Sequence, residues 1–181
     1  MHKNTILGLD VSTSITGASI IGSDGELLFC EAWRTDKKGY TFYQKLDIIK
    51  HKLYSVIINH RVDKVYVEEP LIMFAAGKSS AQTISLIQRY NGAVCWMCRE
   101  IYDIEPIYVR ASTARKLYNI KVPRGQNTKE IILEHVLAKE PKFSIKQTRF
   151  GNPEKGSYDR ADSIVVARAG YHIANSIEKK A

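Results

Sequence analysis

Three short stretches of this chain place carboxylates where apolar residues would be expected. Asp10 follows Ile6, Leu7, Gly8 and Leu9 and precedes Val11, so it sits inside an almost wholly apolar run. Burying an ionised carboxylate there is unfavourable unless a cation or a hydrogen-bond network compensates for lost water. A solvated turn beginning at Asp10 is the plainer alternative. Glu68 and Glu69 close a second apolar stretch just before Pro70, which cannot continue a central strand. Alone, they also read as an ordinary polar strand end. Asp159 and Asp162, in Ser157-Tyr158-Asp159-Arg160-Ala161-Asp162, share one face of a helix at i, i+3 spacing. Taken as N-cap and N3 they equally fit a capping box.

Brought together, these groups would repel and raise one another's pKa. Divalent cations relieve that repulsion, and an all-oxygen ligand set favours Mg²⁺ or Mn²⁺ over zinc. Two such ions about 4 Å apart can activate a water and stabilise the leaving oxygen of a phosphodiester. The rest of the chain is complementary to such a substrate. Lys and Arg number 27 against 19 Asp and Glu, a net charge of +8. That excess favours a polyanionic partner, nucleic acid ahead of an anionic membrane.

The elements that must position these groups follow from hydrophobic period. Thr5 to Val11 reads as a strand buried on both faces. Residues 16–22 and Glu26 to Trp33 follow as two more, joined by the Gly22-Ser23-Asp24-Gly25 turn into an antiparallel meander. Leu46, Ile49, Leu53 and Val56 predict an amphipathic helix over Tyr43 to His60. A strand from Val62 to Glu68, a helix from Ser79 to Tyr102 and a strand from Glu105 to Arg110 come next. Ser112 and Asn127 are expected N-caps of two further helices, the second stopped by Pro141. A basic loop from Lys142 to Gly156 leads to a last helix, Tyr158 to Ile177. The order β-β-β-α-β-α-β-α-α predicts an α/β fold with one five-stranded mixed sheet, three antiparallel strands then two parallel, flanked by helices. Asp10 and the Glu68-Glu69 pair then end parallel neighbours at one sheet edge, where open α/β sheets place their ligands. The apolar side of the last helix packs on the sheet and can bring Asp159 and Asp162 over Asp10.

This arrangement resembles the RNase H-like nucleases, and more closely the RuvC-type Holliday junction resolvases. Ile6-Leu7-Gly8-Leu9-Asp10 followed by Thr16-Gly17 is similar to that family's opening strand. Tyr66-Val67-Glu68 resembles its strand ending in Glu, which prefers Glu68 over Glu69. Asp159-Arg160-Ala161-Asp162 resembles its D-x-x-D-A motif, with Ser163 in place of the final Ala. The likeness spans essentially the whole chain and implies one RNase H-like nuclease domain over residues 1–181. It further implies that Asp10, Glu68, Asp159 and Asp162 are catalytic and bind two Mg²⁺ ions (Mn²⁺ may substitute), with a metal-activated water attacking the scissile phosphate. Lys116 and Lys129 fall where the family binds phosphate, although lysines on helices are ordinarily solvated. Family members act as homodimers on four-way junctions, and a two-fold dimer suits a two-fold substrate.

Three departures bear on selectivity. Val11-Ser12-Thr13 stands where the family has Pro-Gly after the Asp. The family's junction-wedging aromatic follows its Glu; here Leu71 holds the nearest register and Phe74 lies one helical turn on, as a wedge or as an anchor for the next helix. The Lys142–Gly156 loop is long, and Lys142, Lys146, Arg149 and Lys155 form a candidate extra DNA contact, Lys146 and Arg149 foremost.

Other signals carry less. Cys95-Trp96-Met97-Cys98 lies inside a helical apolar run and reads as packing rather than zinc or redox chemistry. The histidines show no metal-ligand spacing. No stretch approaches the about 18 apolar residues of a membrane span, and Asp10 breaks any signal-like N-terminal run. The expectation is a cytoplasmic protein of a bacterial or phage-infected cell without membrane association. Its expected function is a Mg²⁺-dependent endonuclease for Holliday and other branched DNA in recombination and repair. The alternatives are a non-cleaving junction-binding protein, and an RNase H-like nuclease acting on RNA or an RNA–DNA hybrid. A sugar-kinase-type phosphotransferase would need a second lobe, for which this length leaves no room.

Overall fold

The computed structural model describes residues 4–70 and 80–178. Five strands, β1 (Ile6–Asp10), β2 (Ile15–Ile21), β3 (Leu27–Arg34), β4 (Lys64–Glu68) and β5 (Ile107–Val109), form one sheet in the order β3-β2-β1-β4-β5. β1, β2 and β3 are antiparallel neighbours, whereas β4 runs parallel to β1 and β5 parallel to β4. The sequence expectation of three antiparallel strands followed by two parallel ones holds. β5 is shorter than its apolar stretch, and it forms an outer edge of the sheet.

The helices are α1 (Phe42–Asn59), α2 (Ala81–Tyr102), α3 (Ala111–Leu117), α4 (Thr128–Lys139) and α5 (Ser157–Glu178). Side-chain alternation divides the central strands between two cores. Leu7, Leu9, Val65 and Val67 join Leu46, Ile49 and Leu53 of α1 and Tyr90, Val94 and Cys98 of α2. Ile6 and Tyr66 point the other way, among Ile132 and Val136 of α4 and Ala161, Ile164, Val165 and Ala167 of α5. Asp10 is four residues beyond Ile6 and Glu68 two beyond Tyr66, so the same alternation sends both carboxylates to the α5 side.

Local chemistry sets the helix starts. Thr41 and Gln44 close a reciprocal capping box on α1, and the Ser80 hydroxyl accepts from Thr83 N on α2. Asn127 caps α4 as expected, its side chain accepting from Lys129 N at 3.1 Å. Ser112 does not cap α3. β5 passes into α3 with only Arg110 between, so Arg110 occupies the cap position without a side-chain bond and Ser112 lies inside the helix. Asp159 is not an N-cap either, because α5 already starts at Ser157 and Arg160 N donates to Gly156 O at 2.9 Å. With capping set aside, the aspartate pair is left to another task.

Candidate active site

The four carboxylates are carried by three elements. Leu9 pairs with Val67 across the parallel β1–β4 ladder, so Asp10 and Glu68 are the next residue on each strand, side by side at its carboxyl end. Asp159 and Asp162 arrive from above on the first turns of α5. Close approach of that helix depends on missing side chains: a Cβ on Gly8 would collide with the Ala167 backbone, and one on Gly17 with the Asp159 carbonyl. Gly17 thereby lets the first turn of α5 rest directly on β2, which accounts physically for the Thr16-Gly17 pair. Ser163 gives a second tie. Its buried hydroxyl lies 2.6 Å from that of Ser19 on β2 and donates to Arg160 O at 2.7 Å.

The four groups act on one another electrostatically. Asp10 is held well above its ordinary range, first by desolvation and then by Glu68, Asp162 and Asp159. Its carboxylate is partly accessible at the strand end yet surrounded by protein, which makes loss of water the leading cause. Glu68 is raised to about 7 by desolvation and by Asp162. Asp162 is raised to about 6, desolvation again leading and Asp159 adding to it. Asp159 is raised chiefly by desolvation and lowered by Lys129 and Lys155. Among the described residues no three His, Cys, Asp or Glu side chains are grouped closely enough to hold a metal ion as they stand.

Glu69 takes no part in this cluster. Its backbone N–H bonds to Val109 O at 2.9 Å and its carboxylate accepts from Arg110 Nε at 3.0 Å. The choice between the two glutamates is therefore one of geometry: Glu68 faces α5, and Glu69 holds the β4–β5 edge.

Lys129, in the first turn of α4, lowers the pKa of all four carboxylates. Arg115 of α3 acts on Glu68 and Asp162. Arg115 was not marked by any sequence pattern; only its place one residue before Lys116 hinted at it. Lys116 is exposed and lines a pocket of about 320 Å³ with Ser112, Arg115, Asn119 and Lys121. Lys146 and Arg149 are on the 142–156 loop, both exposed. Leu71 and Phe74 fall outside the described residues.

The Val11-Ser12-Thr13 departure folds on itself. Ser12 Oγ donates to Ile15 O at 2.8 Å and accepts from Ile15 N, while Lys45 Nζ and Thr35 Oγ1 both donate to Thr13 O. Ser12 thus closes the turn between β1 and β2. Cys95 and Cys98 are free thiols; Cys98 is buried in the core, and Cys95 Sγ donates to Tyr108 Oη at 3.2 Å. No described helix is long and apolar enough to cross a membrane.

Comparison with solved structures places this architecture. Thermus thermophilus RuvC in complex with a Holliday junction substrate matches with a TM-score of 0.70, at 14% identity over 96% of each chain. A second T. thermophilus RuvC structure matches at 0.66 with 17% identity, over 95% of this chain and 96% of that one. Ydc2, the yeast mitochondrial Holliday junction resolvase, matches at 0.61 with 10% identity, over 98% of this chain and 81% of that one. The sequence matches no protein-family model and no curated protein. The fold is RNase H-like. Across nearly its whole length the chain shares the fold of these RuvC and Ydc2 structures.

Proposed function

We propose that this protein is a divalent-metal-dependent endonuclease that hydrolyses phosphodiesters in four-way and other branched DNA, in recombination and repair. The observation that carries the reading is the meeting of Asp10, Glu68, Asp159 and Asp162 at the carboxyl end of β1 and β4, each held above its ordinary pKa. The donor set fits Mg²⁺, or Mn²⁺ in its place: it is all carboxylate, hard and shared between two strands and a helix. When bound, two such ions supply Lewis-acid polarisation of the phosphate and a water acidic enough to attack it.

The chain's own residues supply the rest. Asp10 and Glu68, fixed by the β1–β4 ladder, provide a rigid floor, and Asp159 and Asp162 close over it from α5. Their raised pKa values mean that a cation binds in competition with protons. Lys129 and Arg115 direct positive charge into the same space and are positioned to take phosphate oxygens, with Lys116 beside them. A homodimer would present two such sites to the two-fold symmetric arms of a junction. A cytoplasmic setting in a bacterial or phage-infected cell suits that substrate.

The test is cleavage of a synthetic four-way DNA junction, an RNA–DNA hybrid and a linear duplex, each with Mg²⁺, Mn²⁺ or EDTA. Metal-dependent nicking of the junction in preference to the other two is expected. Preference for the hybrid would move the activity to an RNase H-like class, and tight junction binding without nicking would make the protein a binder only.

A further inference from the structure

The 142–156 loop is more ordered than its composition implies. Gln147 and Pro153 form an antiparallel bridge, Thr148 N bonds Asn152 O at 2.8 Å, and Glu154 N bonds Lys146 O at 2.9 Å. Gly151, at φ +78, turns the chain and donates to Thr148 O at 2.9 Å. The segment is a small hairpin. Its base is anchored: Lys155 pairs with Asp36, Lys142 pairs with Glu26 at 3.1 Å, and Gly156 sits against Ala32 where a Cβ would not fit. Those two lysines are therefore engaged within the protein. Lys146 and Arg149 form no salt bridge among the described residues.

At the tip stands Phe150, 74% exposed, with the Arg149 guanidinium over its ring at 4.6 Å. A single exposed aromatic is unremarkable on most surfaces. Here it sits in a hydrogen-bonded turn, has the Arg149 guanidinium over its ring, and follows two exposed basic residues, Lys146 and Arg149. The hairpin runs directly into α5, the helix that carries Asp159 and Asp162.

We propose that the 146–154 hairpin is a second DNA-engaging element, in which Phe150 stacks on a base face exposed at the branch while Arg149 and Lys146 hold the adjoining phosphates. This deepens the branched-DNA reading and rests on it. Stacking needs an exposed base face, which a continuous duplex does not offer and a branch point does. The hairpin thus contributes junction selectivity, whereas the carboxylates contribute hydrolysis.

The experiment compares wild type, Phe150→Ala, Phe150→Trp and Arg149→Ala in Ca²⁺, on a four-way junction carrying 2-aminopurine at the branch and on a linear duplex. Phe150→Ala should weaken junction binding roughly 5- to 150-fold, the range for loss of one base–aromatic stack, leave duplex binding within about twofold, and abolish the 2-aminopurine signal. Phe150→Trp should retain both. Arg149→Ala should lower the salt dependence of binding by about one phosphate contact. Unchanged melting temperatures, expected for so exposed a residue, show that the variants fold. Equal binding by wild type and Phe150→Ala, or equal loss on junction and duplex, overturns the proposal. Metal-dependent junction cleavage by wild type in the same preparation keeps the nuclease reading standing in that event. Wild type that binds no branched DNA removes both.

Discussion

Ser19 on β2 and Ser163 on α5 join their buried hydroxyls across 2.6 Å. They lie 144 residues apart in the chain, Ser163 directly after Asp162, and they tie α5 to the sheet beside its two aspartates. A buried hydroxyl deprived of its partner keeps its desolvation penalty. Ser163→Ala should therefore cost about 1–3 kcal/mol, while Ser19→Ala with Ser163→Ala should recover part of it. Urea denaturation of the four members of this cycle measures the coupling; strict additivity would show that the pair does not act as a unit.

The acidic cluster should trade stability for chemistry. Asp162→Asn removes a carboxylate whose pKa is raised to about 6 by burial first, with Asp159 adding to it. Cleavage in Mg²⁺ should fall on the order of 10²–10³-fold or more, the scale of losing one preorganised electrostatic contact, with junction binding retained. In EDTA the same variant should melt about 2–4 °C higher, the equivalent of about 1 kcal/mol at this chain length. Calorimetry and a gel-based cleavage assay read the two effects separately.

The metal-free protein should lose stability as pH rises from about 4.5 to about 7. Glu68 titrates ordinarily near 4.5 and here near 7. Within that window the folded protein holds more protons than the unfolded chain, so ΔG of unfolding decreases with pH. Asp10 and Asp162 are raised too and act in the same sense. Asp36, lowered to about 2 by Lys155 and Arg34, acts below the window, and His172, lowered by burial, opposes the trend near its ordinary 6.5. Melting curves in EDTA from pH 5 to 8 should slope downward. Glu68→Gln should flatten that slope, and added Mg²⁺ should reverse it at pH 8; a flat wild-type profile would contradict the cluster's electrostatics.

A second charged group is structural. Glu140, 2% exposed, accepts from Arg168 Nε and Nη2, both at 2.6 Å, and from the Tyr118 hydroxyl, while Arg168 Nη1 donates to Gly25 O at 2.7 Å. Removing one partner leaves a buried charge alone. Glu140→Leu should destabilise the fold by about 3–5 kcal/mol, seen in denaturant melts, without altering the metal dependence of cleavage at permissive temperature.

Much of this architecture was written in local pattern. Apolar runs of strand length, the 3.6-residue period of α1 and α2, and the turn residues at 22–25 sufficed for the order of elements and for the mixed sheet. The candidate carboxylates were legible because charge is conspicuous inside apolar runs. Capping was read less well: Ser112 and Asp159 had the right residue types for N-caps, but strand length and the entry at Gly156 put the helix starts elsewhere.

What the sequence determined by itself was the alternation that sends Asp10 and Glu68 to one face of the sheet, because a strand's period of two is a local property. Tertiary structure decided which charges meet. Glu68 and Glu69 are adjacent and chemically alike, yet one faces the aspartates and the other is claimed by Arg110. Arg115 entered the site, Lys142 and Lys155 became anchors, and Phe150 was left at the tip of a hairpin. Such outcomes depend on contacts between residues far apart in the chain, and the reach of a charge in folded protein is a matter of distance through space, which no spacing along the chain encodes.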